Sequence, residues 1–256
     1  NARLAGYPKP VIALMQGYTM GGGVGLACHA SHRVVDADSR VAMPECGIGF
    51  VPDVGGSALL ARAPGRLGAY LGLTGARMGP GDAIHAGFAD HCVPRARWGD
   101  LVAEALRDGT PDAVAALSTP VPDQPLAEQA EIIDTLFAAD RLDDLRATLA
   151  RSEHPFAARA RTDLARPAPL SQAVTLAMLA HLRALPRITV PAALALEYRV
   201  AHRIMEQGDF LEGIRAAIID KDRTPHWRHA DGAVPQEAVE AMLAPLGDAE
   251  LRLEEG

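Results

Sequence analysis

Residues 10–56 read PVIALMQGYTMGGGVGLACHASHRVVDADSRVAMPECGIGFVPDVGG, and this stretch decides the fold. It alternates short apolar runs with glycines, and it carries two carboxylates, Glu45 and Asp53, where apolar runs end. Glycines let a backbone approach a ligand with its N–H groups exposed. A pair of carboxylates can perform acid–base or nucleophilic chemistry. The combination favours a site that acts on an acyl oxygen.

Short apolar segments in the first third of the chain are typical of strands buried on both faces. They span residues 11–15, 33–38, 40–44 and 91–94. Segments with helical spacing, separated by Gly and Pro, predict short helices between and after them. These span residues 25–32, 57–62, 66–73 and 81–87. Strands that alternate with helices predict an α/β layer with parallel pairing.

From Arg97 onward the strand signal disappears and helical periodicity takes over. The predicted helices of this half span residues 98–108, 126–151, 171–185, 190–207 and 236–246. Proline clusters near positions 122 and 168 mark two joints between them. We therefore predict two parts, a β/α core over residues 1–96 and a helical region over residues 97–256.

The composition excludes several classes of protein. The 256 residues are 48% hydrophobic and carry a formal net charge of −7, which favours a packed core and argues against a nucleic-acid-binding surface. No uninterrupted apolar run reaches the roughly 18 residues of a membrane span. Three widely spaced cysteines without a C-x-x-C motif favour reduced thiols in a cytoplasmic protein. We predict no membrane and no nucleic-acid partner.

The glycine run at residues 21–25 follows a predicted strand and opens a predicted helix, an arrangement that suits negative charge at a helix N-terminus. Two nucleotide-binding motifs fail here. G-x-G-x-x-G would need glycine at the position of Leu26, and Gly-Lys-Ser/Thr is absent. A tight helix–sheet contact is the structural alternative. The functional interpretation makes Gly22 the donor of a backbone N–H to an oxyanion.

Each carboxylate has a structural alternative. Glu45 follows Pro44 amid apolar neighbours, where loss of hydration would raise its pKa and make it a base near neutral pH. An exposed turn glutamate is equally compatible with this position. Asp53 precedes a predicted helix, and by itself this position favours a plain helix N-cap. The residues alone leave both alternatives open.

Two further groups are weaker candidates. His29 and His32 lie three apart on one predicted helix, but no other ligands follow at a recognisable spacing, so we predict no metal site. Lys221, Arg223 and Trp227 lie around an apolar helix near the C-terminus. They suit a phosphate-bearing substrate tail. A helix that docks on the core with its charges in solvent is the favoured explanation.

Five segments carry a resemblance to a known family. They are PVIALMQGYTMGGGVGL (10–26), MPECGIGFVPDVGG (43–56), GAYLGLTG (68–75), LEYRV (196–200) and FLEGIRAAIIDKDRTPHW (210–227). With them the chain resembles the crotonase superfamily and, within it, the 3-hydroxyisobutyryl-CoA hydrolases. The last segment is the most specific, because general crotonases do not share it. The resemblance covers nearly the whole chain and is weakest between residues 107 and 166.

The resemblance implies an α/β fold, with a crotonase-like ββα spiral over residues 1–96 and a C-terminal helical region after it. The family takes a second oxyanion N–H and much of the CoA pocket from segments that precede Pro10. The spiral is therefore expected to be N-terminally incomplete. The opening residues, which read as the tail of a helix entering a strand, agree with that expectation. A truncated, non-catalytic protein is one alternative that follows.

The resemblance also implies roles for particular residues. Gly22 matches the glycine whose N–H helps to hold the thioester oxygen, and Gly21 lies beside it in the substrate-binding turn. Glu45 matches the essential glutamate, and Asp53 matches the aspartate of the Pro-Asp-x-Gly-Gly element. Hydratases have a second glutamate at the position of Gly25 and tend to have glycine at the position of Asp53. The resemblance therefore implies hydrolysis rather than addition of water to a double bond.

The expected reaction is hydrolysis of a short-chain 3-hydroxyacyl-CoA thioester, above all the 3-hydroxyisobutyryl-CoA of valine catabolism. Glu45 would attack the acyl carbon to give an anhydride, or would act as base on water. Asp53 would orient the 3-hydroxyl or the water. A lyase or isomerase of the same fold is the other enzymatic alternative. CoA is part of the substrate, no separate cofactor is expected, and a homo-oligomer and a monomer both stay open.

Overall fold

The computed structural model describes residues 1–253, and these contain five short strands. The strands are β1 (Ile12–Met15), β2 (Tyr18–Met20), β3 (His32–Val35), β4 (Arg40–Ala42) and β5 (His91–Cys92). Their residues are mainly apolar, which suits a buried pleated surface. Strands β1, β4 and β5 fall within predicted segments, β3 begins one residue before its predicted segment, and β2 was not predicted.

The strands form two small parallel sheets. One sheet has the order β1–β3–β5, with Leu14 opposite Val34 and Val34 opposite His91. The other pairs β2 with β4 and places Thr19 opposite Val41. Because β1 and β2 belong to different sheets, the chain changes sheet near Gly17, and the glycine run begins at Gly21, directly after β2. The glycine run therefore leaves the carboxyl end of a strand, as predicted.

The first part of the chain connects these strands with short helices. They are α1 (Ala2–Ala5), α2 (Gly22–Ala27), α3 (Gly56–Arg62), α4 (Leu67–Thr74) and α5 (Pro80–His85), with 3₁₀ turns at Glu45–Ile48 and Arg95–Arg97. The second half is helical, as predicted. Its helices are α6 (Trp98–Asp108), α7 (Asp112–Leu117), α8 (Pro125–Glu128), α9 (Ala130–Leu136), α10 (Leu142–Arg151), α11 (Pro155–Leu164), α12 (Pro169–Arg183), α13 (Val190–Gln207), α14 (Phe210–Ile214) and α15 (Gln236–Leu243), with a π-helical turn at Arg215–Ile219 and a 3₁₀ turn at Gly247–Ala249.

The main apolar core joins the two halves of the chain. Helix α12 packs on α3 and α4, and the same cluster of buried side chains takes Met43 and Leu60 from the first half and Val174 and Leu179 from the second. Each such side chain contributes about 1.5–3 kcal/mol when fully buried. The boundary between residues 1–96 and 97–256 stays a prediction, because the core takes residues from both sides of it.

Two helices differ from the sequence-based expectation. The predicted helix over residues 126–151 is broken into α8, α9 and α10, and the helix predicted over residues 25–32 begins at Gly22 and ends at Ala27. By contrast, α13 begins and ends at the predicted residues, Val190 and Gln207. Among residues 1–253, no helix combines the length and the hydropathy that crossing a bilayer would need.

Candidate active site

The glycine turn between β2 and α2 brings a carboxylate against the backbone. Gly21 precedes the helix with φ +50° and ψ −117°, a conformation that L-residues rarely adopt. A Cβ atom on Gly21 would lie 2.8 Å from Oε1 of Glu45. A Cβ atom on Gly22, in contrast, would meet no atom within 4 Å. The turn is therefore packed against the Glu45 carboxylate at Gly21 and is open at Gly22.

Glu45 lies where β4 passes into the 3₁₀ turn, and it is buried. Its side chain is 7% exposed, and within residues 1–253 its Oε2 atom has no hydrogen-bond partner. Burial, assisted by the charges of Asp53 and Glu197 and opposed by its own backbone N–H, raises the pKa of Glu45 to about 8. The alternative of an exposed turn glutamate is wrong. A carboxyl group with a pKa this close to neutral pH is suited to act as a base.

Asp53 lies beside this group without capping a helix. Its charge contributes to the raised pKa of Glu45, which places the two carboxylates near each other. Burial raises the pKa of Asp53 as well, partly offset by its own backbone N–H. Helix α3 has Gly55 at its N-cap, and no side chain caps it from that position. The N-cap explanation of Asp53 is therefore wrong, and its side chain is half-buried.

The residue after Asp53 has a strained backbone. Val54 has φ +55°, which costs about 1–3 kcal/mol for a non-glycine residue. Its carbonyl oxygen accepts hydrogen bonds from Nδ2 of Asn1 at 2.8 Å and from Nε2 of His29 at 2.9 Å. A carbonyl only accepts, so Nε2 of His29 carries the proton, and burial lowers the pKa of His29 and keeps the ring neutral. These contacts hold the strained turn on one side.

The position where hydratases of this fold carry a second glutamate has no room for a side chain. A Cβ atom on Gly25 would lie 2.6 Å from Cβ of Val54 and 2.9 Å from Nδ2 of Asn1. The turn that carries Asp53 occupies this space. The absence of the second glutamate and the presence of Asp53 are thus two aspects of one packing arrangement.

A third buried carboxylate, Glu197 on α13, holds the segment after Asp53 from the other side. Its side chain is 3% exposed. Oε2 accepts from the N–H of Gly55 at 2.8 Å, and Oε1 accepts from the N–H of Ser57 at 3.1 Å and from its hydroxyl. Burial raises the pKa of Glu197 to about 7, opposed by these hydrogen bonds and assisted by the charge of Asp53.

Glu197 was not predicted as a functional residue, although the sequence contains a signal for it. It lies four residues after Ala193 and three before Val200, on the apolar stripe of α13. A glutamate at a core position of an amphipathic helix requires hydrogen-bond partners, because an unpaired buried charge is costly. The spacing identifies the anomaly, but the partners lie more than 100 residues away in sequence.

His29 and His32 were predicted to lie on one helix, and this prediction is wrong. Helix α2 ends at Ala27; His29 binds the Val54 carbonyl, and His32 begins β3 with Nδ1 2.9 Å from Oγ of Ser31. Residues 1–253 contain no group of three or more His, Cys, Asp or Glu side chains arranged to hold a metal ion.

A cavity of about 1300 Å³ lies beside the glycine turn and the Glu45 turn. Met20 and Pro44, the neighbours of Gly21 and Glu45, line it, whereas Glu45 and Asp53 do not. Two aspartates, at positions 163 and 231, also line it. Five arginines line the cavity as well, so positive charges outnumber negative ones there. They are Arg77, Arg146, Arg161, Arg166 and Arg223. Trp227 lines the cavity, and Lys221 does not.

The sequence and the fold of the chain are similar to those of known proteins. The sequence model of the enoyl-CoA hydratase/isomerase family matches residues 1–243. The chain belongs to this family. Two solved structures share its fold. One is described as an enoyl-CoA hydratase from Rhodobacter sphaeroides 2.4.1, with 54% identity and a TM-score of 0.91, covering 98% of this chain and 73% of that chain. The other is described as a carnitinyl-CoA dehydratase from Mycobacterium thermoresistibile, with 40% identity and a TM-score of 0.90, covering 100% of this chain and 73% of that chain.

Curated relatives in the family carry a different name. A mitochondrial 3-hydroxyisobutyryl-CoA hydrolase of Danio rerio is 34% identical over 99% of this chain and 69% of its own length. That of Mus musculus is 36% identical over 98% of this chain and 68% of its own length. The chain thus spans about two-thirds of the length of these relatives. The resemblance to the hydrolases and the α/β crotonase-like fold, both predicted from the sequence, are confirmed.

Proposed function

We propose that the protein hydrolyses short-chain 3-hydroxyacyl-CoA thioesters, with 3-hydroxyisobutyryl-CoA as the first candidate, to the free acid and CoA. The observation that carries the proposal is the contact of the buried Glu45 carboxylate with the Gly21 turn. The contact places a base of raised pKa next to a backbone that can receive an acyl oxygen. The name shared by the curated relatives supports the same reaction.

In this mechanism Gly22 receives the thioester oxygen. Its N–H lies in the first turn of α2, where backbone donors have no intrahelical acceptor. As the acyl carbon is attacked, negative charge develops on its oxygen, and the N–H stabilises that charge. One such donor contributes about 10²–10³ in rate.

Glu45 has two routes to the same products. In the first, a carboxylate oxygen attacks the acyl carbon, the C–S bond breaks with CoA leaving as thiolate, and water then hydrolyses the mixed anhydride. In the second, Glu45 takes a proton from a water molecule whose oxygen attacks the acyl carbon directly. Asp53 orients the 3-hydroxyl of the substrate or the attacking water. Hydroxylamine separates the routes, because it converts an anhydride at Glu45 to a hydroxamate that peptide mass spectrometry detects.

Addition of water to an enoyl-CoA is the second candidate function. The description of the 54% identical solved structure as a hydratase favours it. The packing at Gly25 argues against it, because the hydratase glutamate would overlap Val54. A hydratase would remove the absorbance of the conjugated double bond without releasing thiol, whereas a hydrolase releases thiol from saturated 3-hydroxyacyl thioesters.

The test is thiol release by the purified protein from a panel of 3-hydroxyacyl-CoA thioesters. Glu45→Gln should reduce release by about 10²–10⁴-fold while substrate binding persists. Glu131→Gln, a matched change at an exposed position of α9, should leave release unchanged. Thiol release that survives in Glu45→Gln would exclude the role given to Glu45.

The arginine-lined cavity suits the phosphate groups of a CoA substrate. It adjoins the site through Met20 and Pro44, so a thioester bound at Gly22 can extend into it. Guanidinium groups bind phosphate through charge-assisted hydrogen bonds. The excess of positive charge on the cavity wall contrasts with the net charge of −7 of the whole chain. Within the proposal, Arg223 and Trp227 therefore form part of the wall that receives the CoA tail.

Three narrower predictions accompany the reaction. With 3-hydroxyisobutyryl-CoA as its substrate, the protein would act in valine degradation. The free, buried thiols of Cys28, Cys46 and Cys92 agree with a cytoplasmic location. The vertebrate relatives are named as mitochondrial, so fractionation of the source cells is the relevant measurement. A homo-oligomer stays a prediction that light scattering of the purified protein decides.

A further inference from the structure

Glu197 is a buried carboxylate for which the reaction described above has no use. All three groups that contact its oxygens belong to the segment that follows Asp53, namely the N–H groups of Gly55 and Ser57 and the Ser57 hydroxyl. Each of them donates, and an ionised carboxylate only accepts. The contacts therefore suit a charged Glu197, held in a core position of α13.

The short segment between these contacts and Asp53 has a backbone conformation that needs support from its surroundings. Val54 has a positive φ, and such a backbone persists only where the surroundings over-determine it. Asn1 and His29 bind the Val54 carbonyl from one side. Glu197 binds the next amide group, that of Gly55, from the other. The peptide groups immediately after Asp53 are thus held by Asn1 and His29 on one side and by Glu197 of α13 on the other.

We propose that Glu197 is a positioning residue that sets where the Asp53 carboxylate stands relative to Glu45. The inference rests on the proposed function, because it assigns Glu197 to the same hydrolytic site. Glu197 touches neither substrate nor the reacting atoms. It acts through the backbone of residues 54–57, to which it is joined by three hydrogen bonds across 140 or more residues of sequence.

Glutamine is a discriminating replacement for Glu197. With its oxygen at the position of Oε1, Glu197→Gln keeps an acceptor for Ser57 and turns an NH₂ group toward the N–H of Gly55. Two donors then face each other, so the amide of Gly55 loses its acceptor while volume is retained. Ser57→Ala is a milder second variant that removes only the hydroxyl contact.

Asp82 provides a matched control. It is a buried carboxylate, 5% exposed, and its Oδ1 accepts from the N–H of Leu126 at 2.9 Å, away from Asp53. Asp82→Asn should cost stability in the same way as Glu197→Gln without changing hydrolysis. Thermal unfolding of each variant establishes that it is folded before activity is compared.

The decisive measurement is a double-mutant cycle on the full-length protein with 3-hydroxyisobutyryl-CoA. We expect Glu197→Gln to lower kcat/KM about tenfold when Asp53 is present and less than about twofold in an Asp53→Asn background. Ser57→Ala should give a smaller loss that also disappears in that background, which keeps the test usable if Glu197→Gln does not fold. An equal loss in both backgrounds, or no loss in a folded variant, overturns the inference.

Amide hydrogen exchange separates this inference from the proposed function. In Glu197→Gln the amides of Gly55 and Ser57 should exchange at least about tenfold faster than in the unsubstituted protein, and Asp82→Asn should leave them unchanged. If the unsubstituted protein releases no CoA from any thioester, the proposed function fails, and the exchange rates then decide the anchoring role. Unchanged exchange at these two amides overturns it.

Discussion

Glu45 must lose a proton before it can attack a thioester or accept a proton from water, and burial raises its pKa to about 8. We therefore expect kcat/KM to rise about tenfold per pH unit below pH 8 and to level off above it. A pH profile of thiol release measures this. A profile already flat at pH 6 would mean that another group limits the reaction.

The same pKa determines how stability depends on pH. A carboxyl group whose pKa is raised in the folded state from 4.5 to about 8 binds more protons folded than unfolded between these values. The free energy of unfolding should therefore fall as pH rises from 4.5 to 8. Urea titrations at several pH values should show a shallower fall in Glu45→Gln. The remaining fall has contributions from Glu197, Asp53 and Asp82, whose pKa values burial also raises, and it is opposed by His29, whose pKa burial lowers.

The burial and raised pKa of Glu45 could be expected from the sequence, because its apolar neighbours stand next to it in the chain. It could not distinguish the roles of Asp53, because an aspartate before a helix is most often a cap. In the structure that helix end is held instead by Glu197, from a helix far away in sequence. The contact that decides the role of Asp53 is thus tertiary, and local patterns do not contain it.

At the scale of elements, α2 packs tightly against the turn that carries Asp53, with no space for a Cβ atom at Gly25. Gly25→Ala should destabilise the protein by about 1–3 kcal/mol and lower activity, because the added methyl would displace Val54. Gly23→Ala is the control on the same helix, since its Cβ would lie 3.7 Å from Thr19 in ordinary contact. Thermal unfolding and thiol release of the two variants check this. If both variants have the same melting temperature and activity, the turn at Val54 moves aside at little cost in free energy.

Helix bounds were predicted correctly where a capping residue or a helix breaker in the sequence marks the end of the helix. Helix α13 has Thr189 as a side-chain N-cap and Gly208 after its last residue, and its bounds were predicted correctly. Helix α9 ends near Phe137 without a local breaker. Just after it, the carbonyls of Phe137 and Ala139 accept hydrogen bonds from the guanidinium of Arg66, a contact that only the folded chain provides.

The predictions also failed for β2. It spans only the three residues Tyr18–Met20 between two glycines, too short for an alternating pattern to be recognised. Its partner β4 lies about 20 residues further along. Pairing across the sheet, rather than the propensity of the segment, makes it a strand.

At the scale of the whole molecule, the C-terminal helices support the turn that carries Glu45. The rings of Phe50 and Phe210 lie 4.8 Å apart, and α14 packs so closely that a Cβ atom on Gly213 would overlap the carbonyl oxygen of Ile48. We expect Gly213→Ala to lower the melting temperature and thiol release together, because backbone atoms cannot swing aside. Gly99→Ala on α6, where a Cβ meets nothing within 4 Å, should change neither.

The cavity between core and helices supports a prediction about the CoA tail. Arg223→Ala should raise KM for a CoA thioester about fivefold, as expected for one partly exposed charge contact. KM for the corresponding pantetheine thioester, which has no nucleotide phosphates, should not change. Lys221→Ala is the control, because Lys221 lies outside the cavity wall. Equal KM changes for both thioesters would place the nucleotide elsewhere.

The contact between Gly21 and Glu45 limits how such a protein can diversify. A single methyl group at position 21 would displace the carboxylate, so a new acyl preference cannot arise by substituting this glycine. Selection for a bulkier or more polar acyl group would then act on residues other than Gly21.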